Sequence, residues 1–110
     1  MNYKVIPTPS FKKEAKALAK RYKSMKGDLD DFRKSIEKNP FQGTELSPNI
    51  RKVRMSIESK GKGKSGGARV IIYVTDEATG KIWLLEIYDK SDYSTVKVDV
   101  IKKMIRELGI

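Results

Sequence analysis

The sequence predicts an α+β fold in which a helical hairpin packs on a twisted antiparallel β-sheet, in the order β-α-α-β-β-β-α. Two observations support this prediction. Two amphipathic helical patterns follow a short first strand, and three strand patterns precede a last helical stripe. Residues 1–110 contain no internal repeat and no linker, so they are expected to form a single domain.

The first part of the chain predicts one strand and two helices. Tyr3–Ile6 is strand-like and is followed by Pro7, after which Thr8 and Pro9 are typical of an N-cap and a first helical residue. The first helix has apolar residues at helical spacing: Phe11, Ala15, Leu18, Ala19 and Tyr22. The second has Met25, Leu29, Phe32 and Ile36. It is expected to stop at Asn39-Pro40, because a residue before proline disfavours α geometry.

The rest of the chain, after a predicted loop over Phe41–Asn49, predicts three strands and a helix. The strands run from Ile50 to about Ile57, over Ala68–Thr75 and over Lys81–Tyr88, and residues 76–80 form a turn between the last two. A last helix is expected to cover the sheet and to end at Gly109. Its apolar stripe is Val100, Ile101, Met104, Ile105 and Leu108.

The charge of the chain is concentrated in two segments. The net charge is +10. Residues 1–26 have eight Lys/Arg and one acidic residue, and residues 51–69 have seven and one, whereas the remaining segments are close to neutral or slightly acidic. A basic surface of this kind attracts phosphate backbones, because binding releases their counterions. It attracts acidic protein partners for the same electrostatic reason.

The composition excludes several classes of chemistry. The chain has no Cys and no His, so thiolate metal sites, disulfides and imidazole catalysis are absent. The carboxylates Asp28, Asp30 and Asp31 lie at the start of a helix, where the macrodipole accounts for them without a metal. No cofactor or metal is therefore expected. The apolar runs are too short for a membrane span or a signal peptide, and a reducing cytoplasm is the expected compartment.

The segment Arg51–Val74 contains the most informative pattern. A strand over Arg51–Met55 places Lys52 and Arg54 on one face and Val53 and Met55 on the other. A sheet with one buried and one cationic face is suited to holding a polyanion. The alternative is that these cations form the solvated face of an edge strand, which protects against aggregation.

Four pieces of the chain together carry a family resemblance: Pro9-Ser10-Phe11-Lys12-Lys13, Ile50-Arg51-Lys52-Val53-Arg54, residues 61–71 (GKGKSGGARVI) and Leu85-Glu86-Ile87-Tyr88-Asp89-Lys90. With them the chain resembles the RelE/HigB-type toxins of bacterial type II toxin–antitoxin systems, close to the HigB-like branch. The resemblance covers nearly the whole chain. It implies a RelE-like fold and a small endoribonuclease that enters the ribosomal A site and cleaves translated mRNA.

The resemblance also implies partners: the 70S ribosome with its mRNA, and a co-encoded antitoxin that holds the toxin inactive. A HigA-like helix-turn-helix protein from an adjacent gene is the expected antitoxin, and no membrane partner is expected.

A metal-independent ribonuclease of this kind makes the 2′-OH attack the adjacent phosphate and expels the 5′-oxygen. It needs a base, an acid and charge stabilisation on the phosphate. The candidate catalytic residues are Lys52, Arg54, Arg69, Lys90 and Tyr93. Neighbouring cations reduce the proton affinity of a lysine, so Lys52 and Lys90 are candidates for proton transfer. Which group is base and which is acid stays open, as does whether Tyr93 or Tyr88 is the family's C-terminal tyrosine.

The remaining cations of the two basic segments are candidates for binding RNA or the ribosome: Lys12, Lys13, Lys16, Lys20, Arg51, Lys60, Lys62 and Lys64. Residues 61–67 do not match the phosphate-binding pattern G-x-x-x-x-G-K-[ST], because Glu58 occupies the first glycine position. They are expected to form a mobile basic hairpin tip that contacts RNA. Tyr73, Trp83 and Tyr88 are expected to pack in the core rather than stack on bases.

Two other functions stay open at this point. The first is a non-catalytic module that binds RNA, the ribosome or an antitoxin and keeps the fold and the cationic face but not the chemistry. The second and weaker one is a DNA-binding regulator, for which the sequence has no evident recognition helix.

Overall fold

The computed structural model describes residues 3–75, 80–92 and 96–110, and all structural statements concern these residues. The strands are β1 (Lys4–Pro7), β2 (Thr44–Ser47), β3 (Ile50–Met55), β4 (Ala68–Val74) and β5 (Lys81–Asp89). The helices are α1 (Pro9–Arg21), α2 (Met25–Lys38), the single turn α3 (Gly63–Gly66) and α4 (Val98–Leu108), with a 3-10 turn over Glu58–Lys60. The predicted turn over residues 76–80 falls, apart from Gly80, outside the described residues.

The strands form one sheet in the order β1-β5-β4-β3-β2. The sheet is mixed rather than antiparallel, because β1 runs parallel to β5, with Val5 beside Ile82 and Pro7 beside Leu84. The prediction of a purely antiparallel sheet was therefore wrong at this edge. These two strands are separated by most of the chain, so no hairpin fixes their relative direction.

Strand β2 lies inside the segment that was predicted to be a loop. It pairs antiparallel with β3, with Thr44 beside Lys52 and Ser47 beside Ile50. Residues 48 and 49 connect the two strands, and Asn49 has a φ of 68°, a conformation that asparagine tolerates better than most residues. Strand β2 has only four residues, which are mostly polar, and its apolar and polar residues alternate too little to predict a strand from the sequence.

Thr8 begins the first helix and attaches it to the sheet. Its Oγ1 accepts a hydrogen bond from the Phe11 N–H at 3.2 Å, which confirms the predicted N-cap. The same hydroxyl donates to the Leu84 carbonyl at 2.9 Å, and the Thr8 N–H donates to that carbonyl at 3.0 Å. The start of α1 is therefore fixed against β5.

Both faces of the sheet are partly covered. Helices α1 and α2 pack on one face, in a core that includes Phe11, Phe32, Val53, Met55 and Val70. Helix α4 covers part of the other face through Ile101 and Ile105, and Gly109 ends it with a φ of 70°. As predicted, Tyr73, Trp83 and Tyr88 pack in this second cluster. Within the described ranges, no helix is both long and apolar enough to cross a bilayer.

A candidate active site on the cationic face

An open pocket of about 550 Å³ lies where β2, β3 and β4 meet the end of β5. It is lined by Gln42, Gly43, Thr44, Lys52, Val53, Arg54, Lys64, Arg69 and Lys90. All the charged residues among these are cations, and they come from four separate segments of the chain. The pocket therefore contains four of the five predicted catalytic residues together with one predicted RNA-binding lysine.

The register of the sheet explains why these cations are neighbours. Lys52 and Arg54 alternate along β3 with Val53 and Met55, which are buried under α1 and α2. Arg54 lies directly opposite Arg69 on β4. Helix α4 covers the same face further along, over Ile50 and Ile71, and leaves the cationic end open. The pocket is the uncovered part of that face.

Arg69 is buried, with 7% of its surface exposed. Its Nη1 donates to the carbonyls of Lys64 and Ala68, both at 3.1 Å, and its Nη2 donates to that of Ser65 at 3.0 Å. Burial lowers the pKa of Arg69, the nearby charge of Arg54 lowers it further, and Tyr88 acts in the opposite direction. Arg69 thus fastens α3 to the sheet through the carbonyls of Lys64 and Ser65, and three of its five N–H groups in all donate to backbone oxygens.

The segment between β3 and β4, predicted to be a basic hairpin tip, contains the 3-10 turn and α3. Its α3 turn carries Lys64 to the pocket. Gly67 has no room for a side chain, because a Cβ would lie 2.1 Å from the Met55 carbonyl oxygen. The Lys90 N–H donates to the Gly67 carbonyl at 3.1 Å, so this close approach also positions Lys90.

Arg51 braces the opposite wall of the pocket. Its Nε donates to the Gln42 carbonyl at 2.8 Å and its Nη2 to the Gly43 carbonyl at 3.1 Å. Gly43 has a φ of +80°, and a Cβ there would lie 2.2 Å from the Lys52 carbonyl oxygen. The guanidinium of Arg51 is therefore occupied in holding this loop.

Lys60 is also turned inward. Its ammonium lies 2.6 Å from the Asp89 carboxylate and 2.7 Å from the Ser91 hydroxyl, and only 13% of the side chain is exposed. Lys60 is one of the predicted RNA-binding residues, but in the structure its ammonium forms an ion pair with the buried Asp89. No sequence pattern identifies Asp89 as its partner, since Asp89 resembles any polar residue at the end of a strand.

Asp89 is completely buried and ties three parts of the chain together. It accepts hydrogen bonds from Lys60, from the Tyr22 hydroxyl and from Ser91, and Arg21 lies 3.1 Å away. Burial acts to raise the pKa of Asp89, but these hydrogen bonds outweigh it and hold the pKa well below its ordinary value. This cluster fixes the residue next to Lys90.

The other predicted residues are distributed as follows. Lys12, Lys13, Lys16 and Lys20 are exposed on α1, which packs on the opposite face of the sheet from the pocket. Lys62 is exposed beside Lys90 at a smaller adjoining pocket. Tyr93 lies outside the described residues. Tyr88 is buried opposite Arg69, and burial raises its pKa, which disfavours it as a proton-transfer group near neutral pH.

Comparison with known proteins supports the fold. No protein-family model matches the sequence. Among solved structures, the chain is similar to a doubly substituted mutant of the Escherichia coli toxin RelE in the free state, with a TM-score of 0.59 and 14% identity. The match covers 86% of this chain and 90% of that chain. The structure thus belongs to the class of RelE-like α+β folds, which confirms the predicted fold class.

Proposed function

We propose that this protein is the toxin of a type II toxin–antitoxin pair, in the HigB-like branch, and that it cleaves translated mRNA in the ribosomal A site. The observation that carries the proposal is the convergence of Lys52, Arg54, Lys64, Arg69 and Lys90 on one open pocket. Surface cations spread by chance do not meet in one concave site, whereas cleavage of a phosphodiester needs concentrated positive charge.

The proposed reaction is an in-line transfer within the RNA. The 2′ oxygen forms a bond to the adjacent phosphorus and the bond from phosphorus to the 5′ oxygen breaks, which leaves a 2′,3′-cyclic phosphate and a 5′-hydroxyl. Lys52 and Arg54, side by side on β3, hold the scissile phosphate and its neighbour. Arg69 keeps α3 in place. Its two remaining N–H groups are the proposed donors to the same phosphate.

Two protons move in this reaction: the 2′-hydroxyl loses one and the 5′ oxygen gains one. Lys52 and Lys90, two of the three lysines that line the pocket, are our candidates for these transfers, and Tyr93 remains a third candidate. Positive charge around the phosphate stabilises the transition state whichever lysine carries the proton.

The proposal includes the partners and compartment of such a toxin. The protein acts in the cytoplasm on ribosome-bound mRNA, and an antitoxin of the HigA-like helix-turn-helix type blocks it. An adjacent small reading frame for an acidic or helix-turn-helix protein supports this part of the proposal, and an isolated gene counts against it.

The proposal is tested by inducing the protein in growing bacteria and mapping mRNA 5′ ends. Cuts inside translated codons are expected for the wild type and not for Lys52→Ala or Arg54→Ala. Lys103→Ala is the matched control, since this lysine is exposed on α4 and does not line the pocket. Growth arrest with intact mRNA would contradict the nuclease assignment.

A non-catalytic binding module is the second candidate, and one observation favours it. Three N–H groups of Arg69 donate to backbone carbonyls, which is a structural role that a purely catalytic arginine does not need. In that case the wild type co-sediments with ribosomes or binds an antitoxin but leaves mRNA uncut in the same mapping experiment.

A further inference from the structure

Phe41 has a large apolar side chain that is exposed to solvent. It is 57% exposed, more than Val100 and Leu108 on α4, which are the other exposed large hydrophobic residues in the described parts of the chain. It follows the buried Pro40 and directly precedes Gln42 and Gly43, which line the cationic pocket. Its Cα is therefore about 3.8 Å from that of a pocket residue.

The loop that carries Phe41 is braced on both sides, so the exposure is not a consequence of an unstructured segment. The Phe41 N–H donates to the Asn39 side-chain oxygen at 3.2 Å. The Gln42 side-chain amide donates to the Ser35 carbonyl at 3.1 Å and to the Asn39 carbonyl at 3.0 Å. Together with the two hydrogen bonds from Arg51 to this loop, these contacts hold the backbone around Phe41 next to the pocket residues Gln42 and Gly43.

The other aromatic side chains described on the cationic side of the sheet are buried or partly buried. Tyr73, Trp83 and Tyr88 pack against α4 in the second core cluster. Among the residues that the structure describes, Phe41 is thus the exposed aromatic group that adjoins the pocket. A positive groove that follows the backbone and an aromatic ring on which bases stack are the two parts of a single-stranded nucleic-acid site.

We infer that Phe41 is a stacking platform for a base of the RNA strand, next to the phosphate held by Lys52 and Arg54. The inference rests on the proposed function in that it takes single-stranded RNA as the ligand of the pocket. Stacking is tolerant of sequence, because every base has a π face, so Phe41 positions the strand rather than selecting a codon.

The test uses the purified full-length protein and two single-stranded oligoribonucleotides with equal numbers of phosphates, one with all its bases and one with abasic nucleotides. Binding is measured by fluorescence anisotropy at low ionic strength. Phe41→Leu, which keeps apolar surface but loses the ring, is expected to weaken binding of the base-carrying strand roughly tenfold and to leave the abasic strand unchanged. Phe41→Trp is expected to bind the base-carrying strand at least as tightly as the wild type.

Two controls make the result specific. The indole introduced by Phe41→Trp should be quenched by the base-carrying strand, whereas the wild type, whose one Trp is packed under α4, should not respond. Leu108→Ala removes another exposed apolar side chain, one that does not line the pocket, and should bind both strands like the wild type.

The inference is overturned if Phe41→Leu binds the base-carrying strand as tightly as the wild type, if it weakens both strands equally, or if the wild type binds neither. It is also overturned if Phe41→Leu keeps RNA binding but loses a protein partner, because the ring is then a protein contact. The proposed function is scored separately, by mRNA cuts on ribosomes, so each can fail without the other.

Discussion

Arg54 and Arg69 lie directly opposite each other on the neighbouring antiparallel strands β3 and β4. Like charges in this position repel, and the repulsion is one reason why the pKa of Arg69 is lowered, after burial. Both strands lie inside the sheet, so the pair does not serve to protect an edge strand. The pair fits the phosphate site proposed above, and it gives the first prediction.

Arg54→Ala should leave the fold intact and slightly more stable at low salt. Arg54 is exposed and faces Arg69, so its removal relieves repulsion worth about 0.2–1 kcal/mol. The free energy of unfolding from urea titrations at low and high salt is the measurement, with a gain at low salt that shrinks as salt screens the pair. A loss of stability at both salt concentrations would show that Arg54 has a structural partner instead.

Arg69→Ala should behave in the opposite way and destabilise the protein by about 2 kcal/mol. The substitution leaves the carbonyls of Lys64, Ser65 and Ala68 without their charged donor in a buried place. Hydrogen exchange should show earlier opening of residues 63–67 than in the wild type. If the unfolding free energy and the exchange pattern stay unchanged, then Arg69 does not hold α3.

Asp89→Asn should destabilise the protein by about 3 kcal/mol, because it leaves Lys60 buried beside a neutral partner. The lowered pKa of Asp89 makes its contribution complete above the ordinary carboxyl value of 3.8 and lost progressively as the pH falls below it. The stability difference between the variant and the wild type should therefore shrink only in strong acid. Asp92→Asn, an exposed neighbour that also pairs with Arg21, should change stability by less than about 0.5 kcal/mol.

Glu14→Gln should stabilise the protein above neutral pH. Glu14 is half-buried on α1 and accepts a hydrogen bond from the Ile87 N–H at 3.3 Å. Burial raises its pKa from 4.5 to about 7, against the effect of this hydrogen bond, and Glu86 adds to the rise.

The folded protein thus binds a proton on Glu14 between about pH 4.5 and 7 that the unfolded chain does not, and stability falls as the pH rises through this window. The glutamine variant keeps the acceptor and removes the charge. It should gain on the order of 1 kcal/mol at pH 8, after allowance for solvent screening, and nothing below pH 4.5. Glu107→Gln, exposed on α4, is the control. Parallel stability curves for Glu14→Gln and the wild type would contradict this account.

Much of the fold follows from local patterns in the sequence. The Thr8 cap, the stop before Asn39-Pro40 and the glycine at position 109 each fix a helix end by chemistry within a few residues. Alternation along Arg51–Met55 correctly separates the buried from the cationic face. Two features depend on contacts that local patterns do not encode: the parallel pairing of β1 with β5 and the short strand β2.

The candidate site, like the fold, is only partly predictable from the sequence. Residue type identifies the cations, but only the structure distinguishes those that line the pocket from those already paired. Lys60 and Arg51 look like Lys52 and Arg54 in sequence, yet the first pair is bound to Asp89 and to the loop carbonyls. The sequence predicts only that Phe41 lies in a loop. Its exposure is a property of the folded loop, which Arg51 holds by a hydrogen bond to the Gly43 carbonyl.

The most direct test of the account is to add the purified protein to a reconstituted translation reaction and to analyse the ends of the mRNA fragments. We expect fragments with a 2′,3′-cyclic phosphate and a 5′-hydroxyl, produced only while ribosomes translate. Lys52→Ala and Arg54→Ala should reduce their rate of formation about a hundredfold or more, and Lys103→Ala should not. Intact mRNA with the wild-type protein, or equal cleavage by Arg54→Ala, would contradict the claim that this pocket cleaves RNA.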